Sequence, residues 1–184
     1  RLRIAAGMND NIVSIATGES SPVLLLSPNA DETIALRSTR SLANLLQALV
    51  RYPLLRLIYL QLTRPPGGPF PANTAIGLAN LARDPARHVQ LLYLASRLED
   101  AYAPALRRPP DAWTIAIKVN KSGDDSVLFG GPGNVAFDSR GYAWLTNNVV
   151  QGTPLSATTI MVLKPNGHPA DGGLGLPTSP INGG

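Results

Sequence analysis

Few side chains in this chain are placed to do chemistry. There are two histidines, His88 and His168, and no cysteine, which removes disulfides, thiolate metal sites and cysteine nucleophiles together. The histidines stand far apart, without a His-Glu-x-x-His pattern, and read as a boundary residue of a helix and a turn residue. Ser20, in Gly18-Glu19-Ser20-Ser21, has no histidine–acid pair near it in sequence and is not a nucleophile elbow. Asp138, with Asn147 and Asn148, has the oxygen donors a hard cation would use. The alternative is that Asp138 starts a hairpin turn, bonding its own backbone, and that reading is preferred. Asn120–Asp125 superficially resembles a calcium loop but lacks the glycine at the sixth place and the bidentate glutamate at the twelfth. Gly130-Gly131-Pro132-Gly133 fails as a phosphate cradle, because its proline removes an amide donor. No catalytic, metal or cofactor site is assigned, and whether the chain is an enzyme stays open, leaning against.

Charge is the second handle. Over residues 33–110 ten arginines face three acids, a balance of +7 within a chain whose net charge is +4, so the remainder is slightly acidic. Arg37, Arg40, Arg51 and Arg56 are the candidates to face an anion, be it phosphate, lipid headgroup or acidic partner. A solvated helix face is the simpler reading. Aromatic interleaving and nucleic-acid motifs are missing, so nucleic acid is not expected.

These residues need elements to hold them. At 184 residues and 44% apolar, the chain can bury one sizeable core or two small ones. The longest apolar run, Leu54–Leu62, is too short for a membrane span. Leu2–Ala6 and Val23–Leu26 read as short extended segments around the turn formers Thr17–Pro22. Leu42, Leu45, Leu46, Leu49 and Val50 have the spacing of one helical stripe, which Tyr52-Pro53 interrupts. A second helix follows over 54–62, and Arg64–Pro71 is a loop. Asn73 caps a third helix over 74–83, and Asp84-Pro85 starts a fourth that runs to about Asp100 and is mostly buried.

After Pro110 the apolar period changes from 3.6 to 2. Trp113, Ile115 and Ile117 alternate with polar or small residues and predict a half-buried strand. Residues 134–138 and 142–147 predict a hairpin around Asp138-Ser139-Arg140-Gly141, and residues 158–164 the next strand. Trp113 and Trp144 read as packing aromatics, with sugar stacking the sharper alternative. The expected fold is α+β: a mainly helical domain over 1–110 with short N-terminal strands, then an antiparallel sheet over 111–184.

The hairpin Gly133–Asn148 resembles the repeat of NHL-type β-propellers, including the virginiamycin B lyase-like and gluconolactonase-like groups, in which an Asp-ended strand leads through a Gly turn to a strand carrying Trp and Asn. Residues 160–167 look like the third strand and turn of one blade, and Gly172–Gly175 like the lead-in to the next. Leu2–Gly7, Ala16–Gly18, Thr39–Leu46, Pro65–Gly68 and Ala112–Ile115 resemble the helical region preceding the propeller in a group of exported bacterial NHL-repeat proteins without an assigned activity. That group carries cysteines near the end of its first long helix, where this chain has Leu49 and apolar neighbours.

The resemblance implies an exported or cell-surface protein whose export signal is removed or upstream, and a sheet that is one blade of a longer propeller. A lone blade leaves a face and an edge uncovered. The expected function is therefore a non-enzymatic structural or interaction subunit, with a protein partner or further blades as its neighbours. The alternative is the first blade of a propeller enzyme or binder acting on a small ester, lactone or glycan. The lyase-like reaction needs a histidine base, and this stretch supplies no second candidate beside His168.

Overall fold

The computed structural model describes residues 2–14, 16–119, 129–150, 152–170 and 176–177. Among them the fold is α+β, with helices α1 (Leu2–Asn9), α2 (Pro22–Leu25), α3 (Asn29–Glu32), α4 (Ala35–Arg51), α5 (Pro53–Leu62), α6 (Thr74–Arg83) and α7 (Val89–Ser96). Strands β1 (Pro132–Phe137), β2 (Ala143–Asn147), β3 (Thr159–Leu163) and the two-residue β4 (Leu176–Pro177) form one antiparallel sheet in sequential order. The chain divides into two compact units, Asn29–Ala116 and Arg1–Pro28 with Ile117–Gly184. The N-terminal segment thus belongs with the sheet, and the helical unit extends past the expected boundary at residue 110.

The helical unit is organised by α4. Leu45 and Leu49 on α4, Tyr59 and Leu60 on α5, Leu81 on α6 and Leu92 on α7 form its buried centre. Tyr52 ends α4 in extended backbone (φ −117°, ψ 93°) and Pro53 opens α5, so the expected interruption is present. Asn73 caps α6, its side chain accepting from the Ile76 amide at 2.9 Å. At Gly77 α5 and α6 approach so closely that a Cβ would sit 2.7 Å from Tyr59 Cε1 and 2.8 Å from Thr63 Oγ1. Only glycine fits that contact without repacking.

Four expectations are corrected. Val50 is 82% exposed and is not on the buried stripe. Ser38, Ser41 and Asn44 are buried instead, the last two bonded to the backbone of a segment that lies along the polar side of α4. The fourth helix starts at Val89 rather than Pro85, since His88 takes a left-handed conformation (φ 50°) that a continuous helix cannot contain. It is only partly buried, with Leu91 and Leu94, and Leu98 just past its end, each more than half exposed. Residues 113–118 form no strand. The Trp113 ring is buried in the helical core while its amide donates to Pro85 O at 2.8 Å, so the chain there is fixed by helix contacts rather than by a ladder.

In the other unit the expected N-terminal strands are also corrected. Residues 2–9 are helical, as are 22–25, where Ser21 caps and Pro22 takes the first helical position. One isolated bridge, Val13 with Ser20, is all the extended pairing described before residue 28. The segment packs on the turns of the sheet. Asn11 Nδ2 donates to Pro165 O at 2.7 Å. Ile4 lies against the β1–β2 turn, where a Cβ at Gly141 would come within 2.8 Å of it and Gly141 itself has φ +81°. The predicted hairpin and third strand are present. Gly172–Gly175 and the Asn120–Asp125 loop lie outside the described residues.

Candidate functional site: the outer strand of the sheet

The register sets which groups β1 leaves free. Val135 pairs with Leu145, Ala136 with Trp144 and Phe137 with Ala143. The Asp138 amide donates to Tyr142 O at 3.1 Å, continuing the same register towards the turn. Asp138 therefore turns its backbone towards β2, and by the alternation of an antiparallel ladder so does Ala136. Val135 and Phe137 turn their N–H and C=O groups outward, where among the described residues no strand pairs with them. Near Pro132 the register shifts, and the Asn134 amide is taken by Thr146 Oγ1 at 3.1 Å instead of a ladder carbonyl. Proline and irregularity blunt that end of the edge. The Val135–Phe137 end has no such protection.

Side chains follow the same logic. Residues two apart share a face, so Val135, Leu145 and Met161 make one row across the sheet, and Phe137, Ala143 and Leu163 the next. Met161 and Leu163 on β3 are buried and the β2 residues are half-buried. Val135 is 54% exposed and Phe137 71%. The two β1 residues are the uncovered end of an apolar face that is buried at its centre.

Asp138 holds this strand in place. Its Oδ1 accepts from the Arg140 and Tyr142 amides at 2.8 and 3.0 Å. Its Oδ2 accepts from Arg140 Nε and Nη2 at 3.3 and 3.2 Å and from Trp144 Nε1 at 3.4 Å. The Tyr142 amide bond, above all, holds its carboxyl below the usual carboxylate value, with the Arg140 amide and the two side chains adding to that against some desolvation. Arg140 also lies over the Tyr142 ring at 4.6 Å. The carboxylate is committed to the turn.

Asp138, Asn147 and Asn148 are not brought together. Asn147 lies at the far end of β2, about 17 Å of strand from Tyr142, and its Oδ1 accepts from the Gly130 amide at 2.7 Å. The Asn148 amide lies against Gly133, where a Cβ would meet its Nδ2 at 2.7 Å. Among the described residues no three acidic or histidine side chains are grouped to hold a metal ion. His88 and His168 are both exposed, the latter in the turn where the Lys164 amide donates to His168 O at 2.8 Å.

Three of the four candidate arginines bond within the helical unit. Arg37 donates to Ala105 O at 3.2 Å, Arg40 to Ala103 O, and Arg51 pairs with Glu99 at 3.3 Å. Between them Ser41 Oγ accepts from the Leu106 amide at 2.9 Å, and Asn44 makes both bonds to the Tyr102 backbone, at 3.2 and 2.9 Å. The stripe of α4 from Arg37 to Arg51 thus zips down an extended segment running the other way, from Leu106 to Glu99. Arg56 is exposed. Trp113 is a core residue and Trp144 is half-buried, bonded to Asp138.

Sequence reasoning did not single out Val135, Phe137, Ser41, Asn44 or Gly77. Ser41 and Asn44 had a signal in their i, i+3 spacing, in phase with Arg37 and Arg51. Val135 and Phe137 look in sequence like any inward-facing strand residues. Among the described residues no helix is long and apolar enough to cross a membrane. No protein-family model matches the chain, and no curated protein or solved structure matches it either.

Proposed function

We propose that this protein is a non-enzymatic interaction subunit of an exported or cell-surface assembly, and that β1 receives a strand from a neighbour. The observation that carries this reading is the Val135–Phe137 edge, unpaired among the described residues, where outward backbone groups and two exposed apolar side chains coincide. An added strand takes its affinity from main-chain hydrogen bonds and its selectivity from alternate side chains. The neighbour is an extended segment of a partner protein. In support, the sequential β1-β2-β3-β4 order is that of a blade, and Asp138 spends its carboxylate on fixing β1 rather than on chemistry.

Site-specific photocrosslinking in the producing cell tests the reading. A photoreactive residue at Phe137 is expected to give one adduct of discrete mass, and the same residue at the exposed Thr153 none. If Phe137 gives no adduct, and the Val135 and Phe137 amides exchange as fast in cell-envelope extract as in the purified chain, the reading is wrong.

A further inference from the structure

The helical unit carries a second uncovered surface, independent of the sheet. Helices α5 and α7 both pack on α4 rather than on each other. Between them lies an open groove of about 330 Å³, floored by Leu45, Tyr59 and Leu92 and walled by Ile58 of α5 and Leu91 and Leu94 of α7. Beside the groove α5 projects a ridge. Leu54 is 72% exposed and Leu57 56%, at the spacing that puts both on the outward side with Ile58.

The chemistry of the two helices narrows what can cover them. Arg56 is the only charged residue within α5 and α7. Helices that lie on anionic lipid carry many cations on their polar face, and an acidic partner would need them too. A small ligand would need a polar group in the groove to orient it, but the one phenol there, Tyr59, already bonds Thr74 O at 3.4 Å. What fits an uncharged groove beside an uncharged ridge is the same surface turned through a two-fold axis. Leu54, Leu57 and Ile58 with Leu91, Leu94 and Leu98 expose roughly 600 Å² of apolar area, the top of the range for a monomer's largest patch and most of the ~800 Å² each partner gives to a standard interface.

We infer that the α5–α7 surface is an isologous interface between two copies of this chain, the α5 ridge of each copy seated in the groove of the other. The helical unit carries this interface, and it does not depend on the role given to β1. Sedimentation equilibrium of the 184-residue chain is expected to show twice the monomer mass in the upper part of a 1–100 µM range, by the affinity such interfaces reach. Ile58→Glu and Leu94→Glu, at exposed positions, are each expected to weaken the dimer at least about a hundredfold with unchanged helical circular dichroism. Phe137→Glu should leave the dimer intact, which separates this surface from the sheet edge. Should either groove variant unfold, Leu57→Cys in this cysteine-free chain gives a second measure: a short bis-maleimide should join two copies, and Phe137→Cys should not be joined. A monomer throughout the range overturns the inference, as does a dimer indifferent to both groove variants. So does a monomer that binds phosphatidylglycerol vesicles and loses that binding in Leu94→Glu, which would make the surface a membrane contact.

Discussion

The helical unit and the sheet unit handle their polar backbone in opposite ways. In the first, an irregular segment from Glu99 to Leu106 could have been left to solvent, but α4 meets it with five side chains, and Ser41 and Asn44 among them are buried in doing so. In the second, β1 is regular structure whose outer groups have no partner strand among the described residues, and all six of its residues are exposed. Regularity and completeness are therefore separate properties. Along α4 the buried Ser41 and Asn44 side chains are matched to the backbone of the segment, although Ser38 Oγ and Gln47 Oε1 find no partner, whereas among the described residues the β1 ladder stops in mid-pattern.

The largest effect that would sharpen this contrast comes from the core of α4. Leu45→Ala removes a fully buried side chain at the floor where α4, α5 and α7 meet, and should lower unfolding stability by about 3 kcal/mol in urea titration. Asn44→Ala should cost about 2 kcal/mol, because it strands both the N–H and the C=O of Tyr102. If Asn44→Ala instead fell within ~0.5 kcal/mol of wild type, as surface changes do, the segment from 99 to 106 would be merely lying on α4 and the contrast between the units would fail.

How far each region was legible in the sequence follows from where its information resides. Helices α5 and α6 were legible because Pro53 and Asn73 are local signals that act on the nearest few residues. The β1–β2 hairpin was legible for the same reason, through Asp138 and Gly141. The strand expected at Trp113 was not there, since an alternating pattern tells only that Trp113 is buried and not against what. Here the burying surface is a helical core reached through Pro85. Likewise Leu2–Ala6 has an apolar run that suits a strand, but α1 has no buried residue and its location is set by contacts with turns more than a hundred residues away. The edge at Val135 and Phe137 was invisible because exposure depends on a missing neighbour, which no local pattern encodes.

The two units should also differ in which end of the pH scale they fail. Burial pushes the Tyr59 phenol up to about 12 from 10.0, so its contribution to the helical unit is complete below pH 10 and is lost as pH rises towards 12. Asp138 is held below 3.8, so its contribution to the sheet unit is complete above that value and is lost as pH falls through the lowered one. Each unit has its own tryptophan, Trp113 and Trp144 respectively, so Trp113→Phe and Trp144→Phe give chains that report one unit at a time. Trp144 fluorescence should change first in acid and Trp113 fluorescence first in alkali. Asp138→Asn should flatten the acid limb alone and Tyr59→Phe the alkaline limb alone; a shared transition at both ends would show that the units unfold as one.

The smallest expected effect is the one most specific to the sheet. Phe137→Ala removes an aromatic ring, and in a core such a change costs about 3–5 kcal/mol. At 71% exposure on the outer strand of the described sheet the ring has little protein to lose, and the isolated chain should change by less than about 0.5 kcal/mol. A near-silent substitution of a phenylalanine that continues a buried apolar row is what an edge built for a neighbour requires, because the packing it contributes exists only once that neighbour is present. A loss above about 2 kcal/mol in the isolated chain would mean that Phe137 is already packed at home, and β1 would then be a finished edge rather than an open one.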